Sequence, residues 1–158
     1  MVIKPVVGSW GRGVMPLKDR DTADAIIEVR ELNDGPLDRI YYLQEMVNRP
    51  PRDIRVIVVG DQVVAAMYRT SSGSFKTNIA LGAEPVVCEI TKELEDVCMR
   101  AAKAVGGGIL GVDVMEDKKR GLVVHEVNNT VEFKGLAKVA KKDIPKEMIN
   151  FAIKSAIK

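Results

Sequence analysis

The order of local patterns along the chain predicts an α+β fold with a largely antiparallel sheet. Two observations carry this. Two apolar β-prone segments, Asp53 to Val59 and Gln62 to Arg69, are separated only by Gly60-Asp61, a strong two-residue hairpin signal. A second strand pair, Ile109 to Met115 and Leu122 to Val127, is joined by the charged turn Glu116-Asp117-Lys118-Lys119-Arg120. Helical patterns stand between and after these hairpins, which argues against a doubly wound parallel fold.

Each remaining element follows from its own signals. Val2-Ile3-Lys4-Pro5 reads as a short strand that Pro5 terminates, and the glycine-rich loop Gly8-Ser9-Trp10-Gly11-Arg12-Gly13 comes next. From Asp21 to about Leu32 the spacing of Ala23, Ala25, Ile26 and Ile27 predicts an amphipathic helix capped by Asp21. Ile40 to Val47 is β-prone and ends before Pro50-Pro51. Thr70-Ser71-Ser72-Gly73-Ser74 opens a loop that runs through Lys76 and Asn78 to Gly82. Thr91 caps a helix to Val105, with Leu94, Val97, Cys98, Ala101 and Ala104 in one stripe, and Gly106-Gly107-Gly108 ends it. A last helix starts near Pro145.

The chain has 158 residues, 46% of them hydrophobic and 29% charged, the composition of a globular protein. Its 24 basic and 22 acidic residues give a net charge of +2, so bulk charge makes no case for nucleic acid or membrane. Lys134, Lys138, Lys141 and Lys142 near the end read as a solvated face. Cys88 and Cys98 suit buried thiols of a reducing compartment. No apolar run approaches the roughly 20 residues of a membrane span, and no signal-peptide pattern opens the chain. A cytoplasmic protein is expected, and the literal glycosylation acceptor Asn128-Asn129-Thr130 is read as coincidence.

Chemistry is most legible in Asp113 and in Glu126-Val127-Asn128. Alternation along a strand puts Glu126 and Asn128 on one face, where they could converge with Asp113 from a neighbouring strand, while His125 is expected to face away. Three oxygen donors without thiol or imidazole form the donor set of magnesium held with substrate phosphates. Asp53 and Arg55 lie two apart and share a face; Arg55 either pairs with a local carboxylate or meets a ligand carboxylate or phosphate. Lys4 either wants an anionic partner or is a solvated edge lysine. In the first loop, backbone N–H groups and Arg12 suit an anion, and Trp10 is either a lid over a nucleotide or a core anchor. Gly106 to Gly111 matches the letters G-x-G-x-x-G, but the glycines end a helix and open a strand, the reverse of the dinucleotide-binding order.

Ile3-Lys4-Pro5 before the glycine loop, Tyr42-Leu43-Gln44-Glu45, Asp53-Ile54-Arg55, Lys76-Thr77-Asn78 and Glu126-Val127-Asn128 together resemble the ATP-grasp ligases. Within them the text is similar to the ribosomal-protein glutamylating group. It is more similar still, at Val2 to Val14 and Glu126 to Lys134, to the lysine-biosynthesis ligases that join 2-aminoadipate to an amino-group carrier protein. The resemblance covers practically the whole chain and implies the C-terminal part of an ATP-grasp domain, with ATP and Mg2+ as cofactors. It implies that Lys4 contacts ATP phosphates, that Gly8, Ser9, Trp10, Gly11 and Arg12 close over them, and that Gln44, Glu45, Met46 and Val47 line the adenine pocket. Asp53 would lie near the ribose. Arg55, Lys76 and Asn78 would lie at the phosphates and the activated carboxylate, with Arg55 and Asn78 the catalytic pair. Asp113, Glu126 and Asn128 would bind magnesium. Arg69 is a candidate for holding a substrate, and Asn129 and Thr130 for choosing it.

The implied reaction activates a carboxylate as an acyl phosphate and captures it with an amine, attaching free 2-aminoadipate or glutamate to the C-terminal glutamate of an acidic carrier protein. Family members carry an N-terminal domain and the first part of the ATP-grasp domain, with another ATP-contacting lysine, ahead of the strand that holds Lys4. This sequence starts at that strand, so the chain is expected to be a fragment, whether engineered, proteolytic, or encoded separately and completed by a separate N-terminal half or a second copy, to fold by itself, and to lack ligase turnover alone. The alternative is a non-catalytic nucleotide-binding or interaction module derived from such a ligase.

Overall fold

The structure is a computed structural model and describes residues 1–8, 11–33, 35–71, 76–77 and 84–157. It divides into two units, Met1–Val47 and Asn48–Lys158.

In the first unit β1 (Val2–Lys4) is the centre of a three-stranded antiparallel sheet, flanked by β2 (Met15–Pro16) and β3 (Tyr42–Gln44). Val2 and Ile3 are buried, and Lys4 lies 5.9 Å over the Tyr42 ring. The cap of helix α1 (Arg20–Glu31) lies two residues earlier than the sequence suggests. It is Asp19, which accepts a hydrogen bond from the Thr22 N–H at 2.8 Å, and Asp21 sits in the first turn. No residue of α1 is buried, so its apolar spacing does not produce a packed stripe within this unit. The β-prone stretch at 40–47 is extended strand only over Tyr42–Gln44, because β1 offers it three residues of partner.

The second unit is built on a five-stranded antiparallel sheet of order β6-β5-β4-β7-β8, in which β4 is Arg52–Val59, β5 Gln62–Thr70, β6 Glu84–Val87, β7 Ile109–Asp117 and β8 Gly121–Asn128. The β4–β5 hairpin turns at Gly60-Asp61 as expected, with Gly60 at φ +61°. In the β7–β8 turn Asp117 accepts hydrogen bonds from the N–H groups of Lys119 and Arg120, both at 2.9 Å. Strand β6 was not foreseen.

Both faces of this sheet are covered. Helix α2 (Lys92–Ala104), capped by Thr91, buries Leu94, Cys98 and Ala102 against Ile54, Val56, Val58, Val112 and Val114. Ala102 takes the place expected of Ala104. On the opposite face α3 (Lys134–Ala137) and α4 (Ile144–Ala156) bring Leu136 and Ile144 onto Ile57, Val59, Ala65 and Met67. Asp143 caps α4 and Pro145 lies in its first turn. Cys88 and Cys98 are free and buried, as expected. Among the described residues no helix is long and apolar enough to cross a membrane.

Strand alternation then places the chemistry. Asp53, Arg55, Ile57 and Val59 share the face of β4 that carries α3 and α4. The Ile57 end lies in their apolar cluster, while the Asp53 end is polar and buried.

Candidate active site on the sheet

The polar end of that face is a buried lattice of two arginines and two aspartates. Register puts Arg55 opposite Asp113 on one side, and Asp53 opposite Arg69. Arg55 Nη1 donates to Asp113 Oδ1 at 2.7 Å. Arg69 grips Asp53 with both arms, Nε to Oδ1 at 2.7 Å and Nη2 to Oδ2 at 2.9 Å, and its Nη2 is also 3.1 Å from Asp113 Oδ2. The Thr77 hydroxyl donates to Asp53 Oδ2. All five residues are at most 9% exposed, so these charges satisfy one another away from solvent. Burial pushes the Asp113 carboxyl up, and the charges of Arg69 and Arg55 more than reverse this, leaving it below the usual carboxylate range. Burial alone would lower the Arg69 guanidinium, but Asp113 and Asp53 hold it above its ordinary value.

Next to this lattice the oxygen donors line up. Asp113 lies directly opposite Glu126, and Gly111 opposite Asn128. The Glu126 carboxyl is within hydrogen-bonding reach of the Asp113 carboxyl, and Asn128 Nδ2 donates to Glu126 Oε1 at 3.1 Å. Two charged carboxylates facing each other repel, and a shared proton or a cation between them relieves this. This convergence depends on a bulge: Asp113 pairs with Glu126 but Val114 with Val124, so His125 is an extra residue in β8. His125 is thus the residue that the cross-strand register skips, an irregularity that simple periodicity does not announce. The bulge lets Val124 and Val127 both pack on the α2 side while Glu126 and Asn128 face Asp113.

Among the described residues no three His, Cys, Asp or Glu side chains form a metal cluster. The donor set here is two carboxyls and one amide, and it fits a hard divalent ion. Each carboxylate oxygen has two lone pairs, so the bonds from Arg55 and Arg69 leave Asp113 capacity to bind a cation.

The structure thus brings together Asp53, Arg55, Arg69, Asp113, Glu126 and Asn128. The local pairing foreseen as one option for Asp53 and Arg55 is realised, and Arg69 binds two aspartates. Lys76 is half-buried beside Thr77, and Asn129 and Thr130 are exposed just beyond β8. Lys4, Gly8, Gly11, Arg12, Gln44, Glu45, Met46 and Val47 belong to the first unit. Ser9, Trp10 and Asn78 lie outside the described residues. Sequence reasoning missed Thr77 and Gly111. The signal for Gly111 was available, since a glycine inside a strand marks a close approach.

Residues 1–152 match the model of the RimK-like ATP-grasp domain. The chain belongs to this family. The RimK-like chain is 39% identical over 152 residues to the alpha-aminoadipate–LysW ligase LysX of Saccharolobus solfataricus, covering 96% of itself and 55% of that protein. It is also 39% identical over 160 residues to the tetrahydromethanopterin:alpha-L-glutamate ligase of Methanococcus maripaludis, with coverage of 99% and 53%. A solved structure of the ATP-grasp ligase PsnB complexed with minimal precursor, Mg and ADP superimposes with a TM-score of 0.64 at 25% identity, covering 98% of this chain and 45% of that one. The chain spans about half the length of the curated relatives it matches. The mixed antiparallel architecture expected from sequence is that of an ATP-grasp domain.

Proposed function

We propose that this RimK-like chain is the C-terminal part of an ATP-dependent carboxylate–amine ligase. The observation that carries the reading is the row Arg55–Asp113–Glu126, with Asn128 beside it, which sets a fixed cation against three oxygen donors on one sheet face. The names of the relatives support ligation, and the Mg and ADP held by PsnB support the nucleotide and the metal.

Asp113, Glu126 and Asn128 would hold Mg2+. Bound there with ATP, Mg2+ neutralises phosphate charge during phosphoryl transfer. Arg55 is held by Asp113 at a fixed position, so it would face developing negative charge without reorganising, where preorganised cations act most strongly. Arg69 and Asp53 would keep Asp113 oriented, and Lys76 would meet the phosphates. The carboxylate would attack the γ-phosphate to give an acyl phosphate, and the amine would then displace phosphate and leave an amide.

The substrates follow the relatives: 2-aminoadipate or glutamate as the amine, and the C-terminal glutamate of an acidic LysW-like carrier as the carboxylate. These two amino acids differ by one methylene, which a pocket separates by only about 1–3 kcal/mol. Asn129 and Thr130, exposed next to Asn128, would influence that choice.

The test has two parts. Calorimetry of the chain with MgADP is expected to show binding that Asp113→Asn and Glu126→Gln each weaken at least about tenfold. Adding a polypeptide that corresponds to the N-terminal half of the relatives, with carrier and amino acid, is expected to raise ADP release above that of the chain alone. Nucleotide binding without ADP release in the completed system would replace the ligase with a non-catalytic module. No binding to chain or completed protein would overturn the site.

A further inference from the structure

The geometry points to Gly111 as a positioning residue: by carrying no side chain, it reserves the space over β7 in which the Arg55 guanidinium lies. A Cβ built at Gly111 falls 2.7 Å from Arg55 Nη2, 2.8 Å from Cζ and 3.1 Å from Nε. Three atoms of one planar group are thus involved, and the Gly111 backbone lies beneath the guanidinium. Real Cβ atoms do not approach within 3.0 Å, so a methyl group there forces a shift, and Arg55, 7% exposed and with its guanidinium bound to Asp113 at 2.7 Å, cannot give way without straining that ion pair.

The position of Gly111 gives this contact its meaning. It lies two residues before Asp113, on the same face, and directly opposite Asn128. Arg55 is opposite Asp113 in the neighbouring strand and reaches it at 2.7 Å. The guanidinium therefore lies over β7 between Gly111 and Asp113, whose carboxylate it binds. Any side chain at 111 would crowd it there. Gly111 is in strand backbone outside the left-handed region, so its lack of a side chain is required by the arginine and not by a turn.

This inference deepens the ligase reading and rests on it for its functional half. The experiment is a double-mutant cycle of Gly111→Ala and Arg55→Lys, read by urea unfolding and by MgADP calorimetry. Lysine keeps the charge but lacks the planar fork that needs the space. With arginine at 55, Gly111→Ala is expected to reduce both the folding constant and MgADP affinity by about tenfold or more. With lysine at 55, the same change is expected to alter either by less than about twofold. Equal losses in both backgrounds would overturn the proposal, because they would reflect the strand alone. If Gly111→Ala does not fold, folding of the double variant supports the seating of Arg55, and failure of both overturns it. Absence of MgADP binding by the unaltered chain and its completed form would defeat the ligase reading. The unfolding cycle would still decide whether Gly111 seats Arg55.

Discussion

Arg69 ties Asp53 to Asp113. Its Nη2 lies 2.9 Å from Asp53 Oδ2 and 3.1 Å from Asp113 Oδ2, so one buried guanidinium holds two carboxylates from different strands. Replacing it with an uncharged side chain leaves a surplus of buried negative charge. Arg69→Met is expected to cost about 3–5 kcal/mol in urea unfolding, and Arg69→Lys to recover only part of it, because an ammonium lacks the bidentate fork. A loss below about 1 kcal/mol would show that the pair is solvated in solution.

Thr77 adds a third donor to Asp53 from a loop distant in sequence. Thr77→Val removes the hydroxyl while keeping the shape, and should cost about 1–2 kcal/mol; Thr77→Ser should be nearly neutral. Differential scanning calorimetry of both variants checks this. Equal losses would mean that the methyl group, not the hydroxyl, matters.

Asp117 gives the pH prediction. Backbone hydrogen bonds from Lys119 and Arg120, together with the Arg120 guanidinium, lower its carboxyl to about 2. Its folded value lies below its unfolded value of about 4. Its contribution is therefore fully present above about pH 4 and lost as pH falls towards 2. The gap in urea midpoint between wild type and Asp117→Asn should be constant from neutral pH down to about 5 and close below that. A gap independent of pH would rule out the carboxylate as its source.

Two left-handed glycines should respond differently to alanine. Gly60 and Gly106 both have positive φ, at 61° and 93°, but a Cβ at Gly60 meets the Phe151 ring at 2.8 Å while one at Gly106 meets nothing within 4 Å. Both substitutions incur a backbone cost of about 1–2 kcal/mol, and only Gly60→Ala adds a clash with α4. Thermal unfolding should rank Gly60→Ala as clearly the worse. The reverse order would contradict the docking of α4 on the hairpin.

The parts of the fold that could be read from sequence were those whose cause is local. Gly60-Asp61 sets a hairpin, Thr91 starts α2, and Asp143 with Pro145 starts α4, each by residues within one turn of the event. Strand β6 was not legible because Glu84–Val87 is extended through pairing with β5, which its own pattern does not announce. The cap of α1 was misplaced by two residues because Asp19 and Asp21 are both acceptable caps by type, and only backbone geometry chooses between them.

The candidate site divides in the same way. That Asp53 and Arg55 share a face, and that Glu126 and Asn128 do, follows from alternation. That Arg69 would bind aspartates rather than stand open to a substrate depends on register between strands, which no short window contains. The grouping of Asp113 with Glu126 and Asn128 was legible from strand spacing and donor chemistry, and the resemblance to ATP-grasp ligases agreed with it. The role of Gly111 needed coordinates, since a missing side chain says nothing about which neighbour fills the gap.

The extra residue in β8 has a consequence for how this strand tolerates change in length. Deleting His125, or one residue between it and the hairpin turn, can be absorbed by straightening the kink, and Glu126 and Asn128 stay where they are. Deleting Val127 has no such slack to draw on: it turns Asn128 under α2 and breaks the trio of oxygens. Gaps in the sequences of relatives should therefore gather on the turn side of Glu126 and stop there.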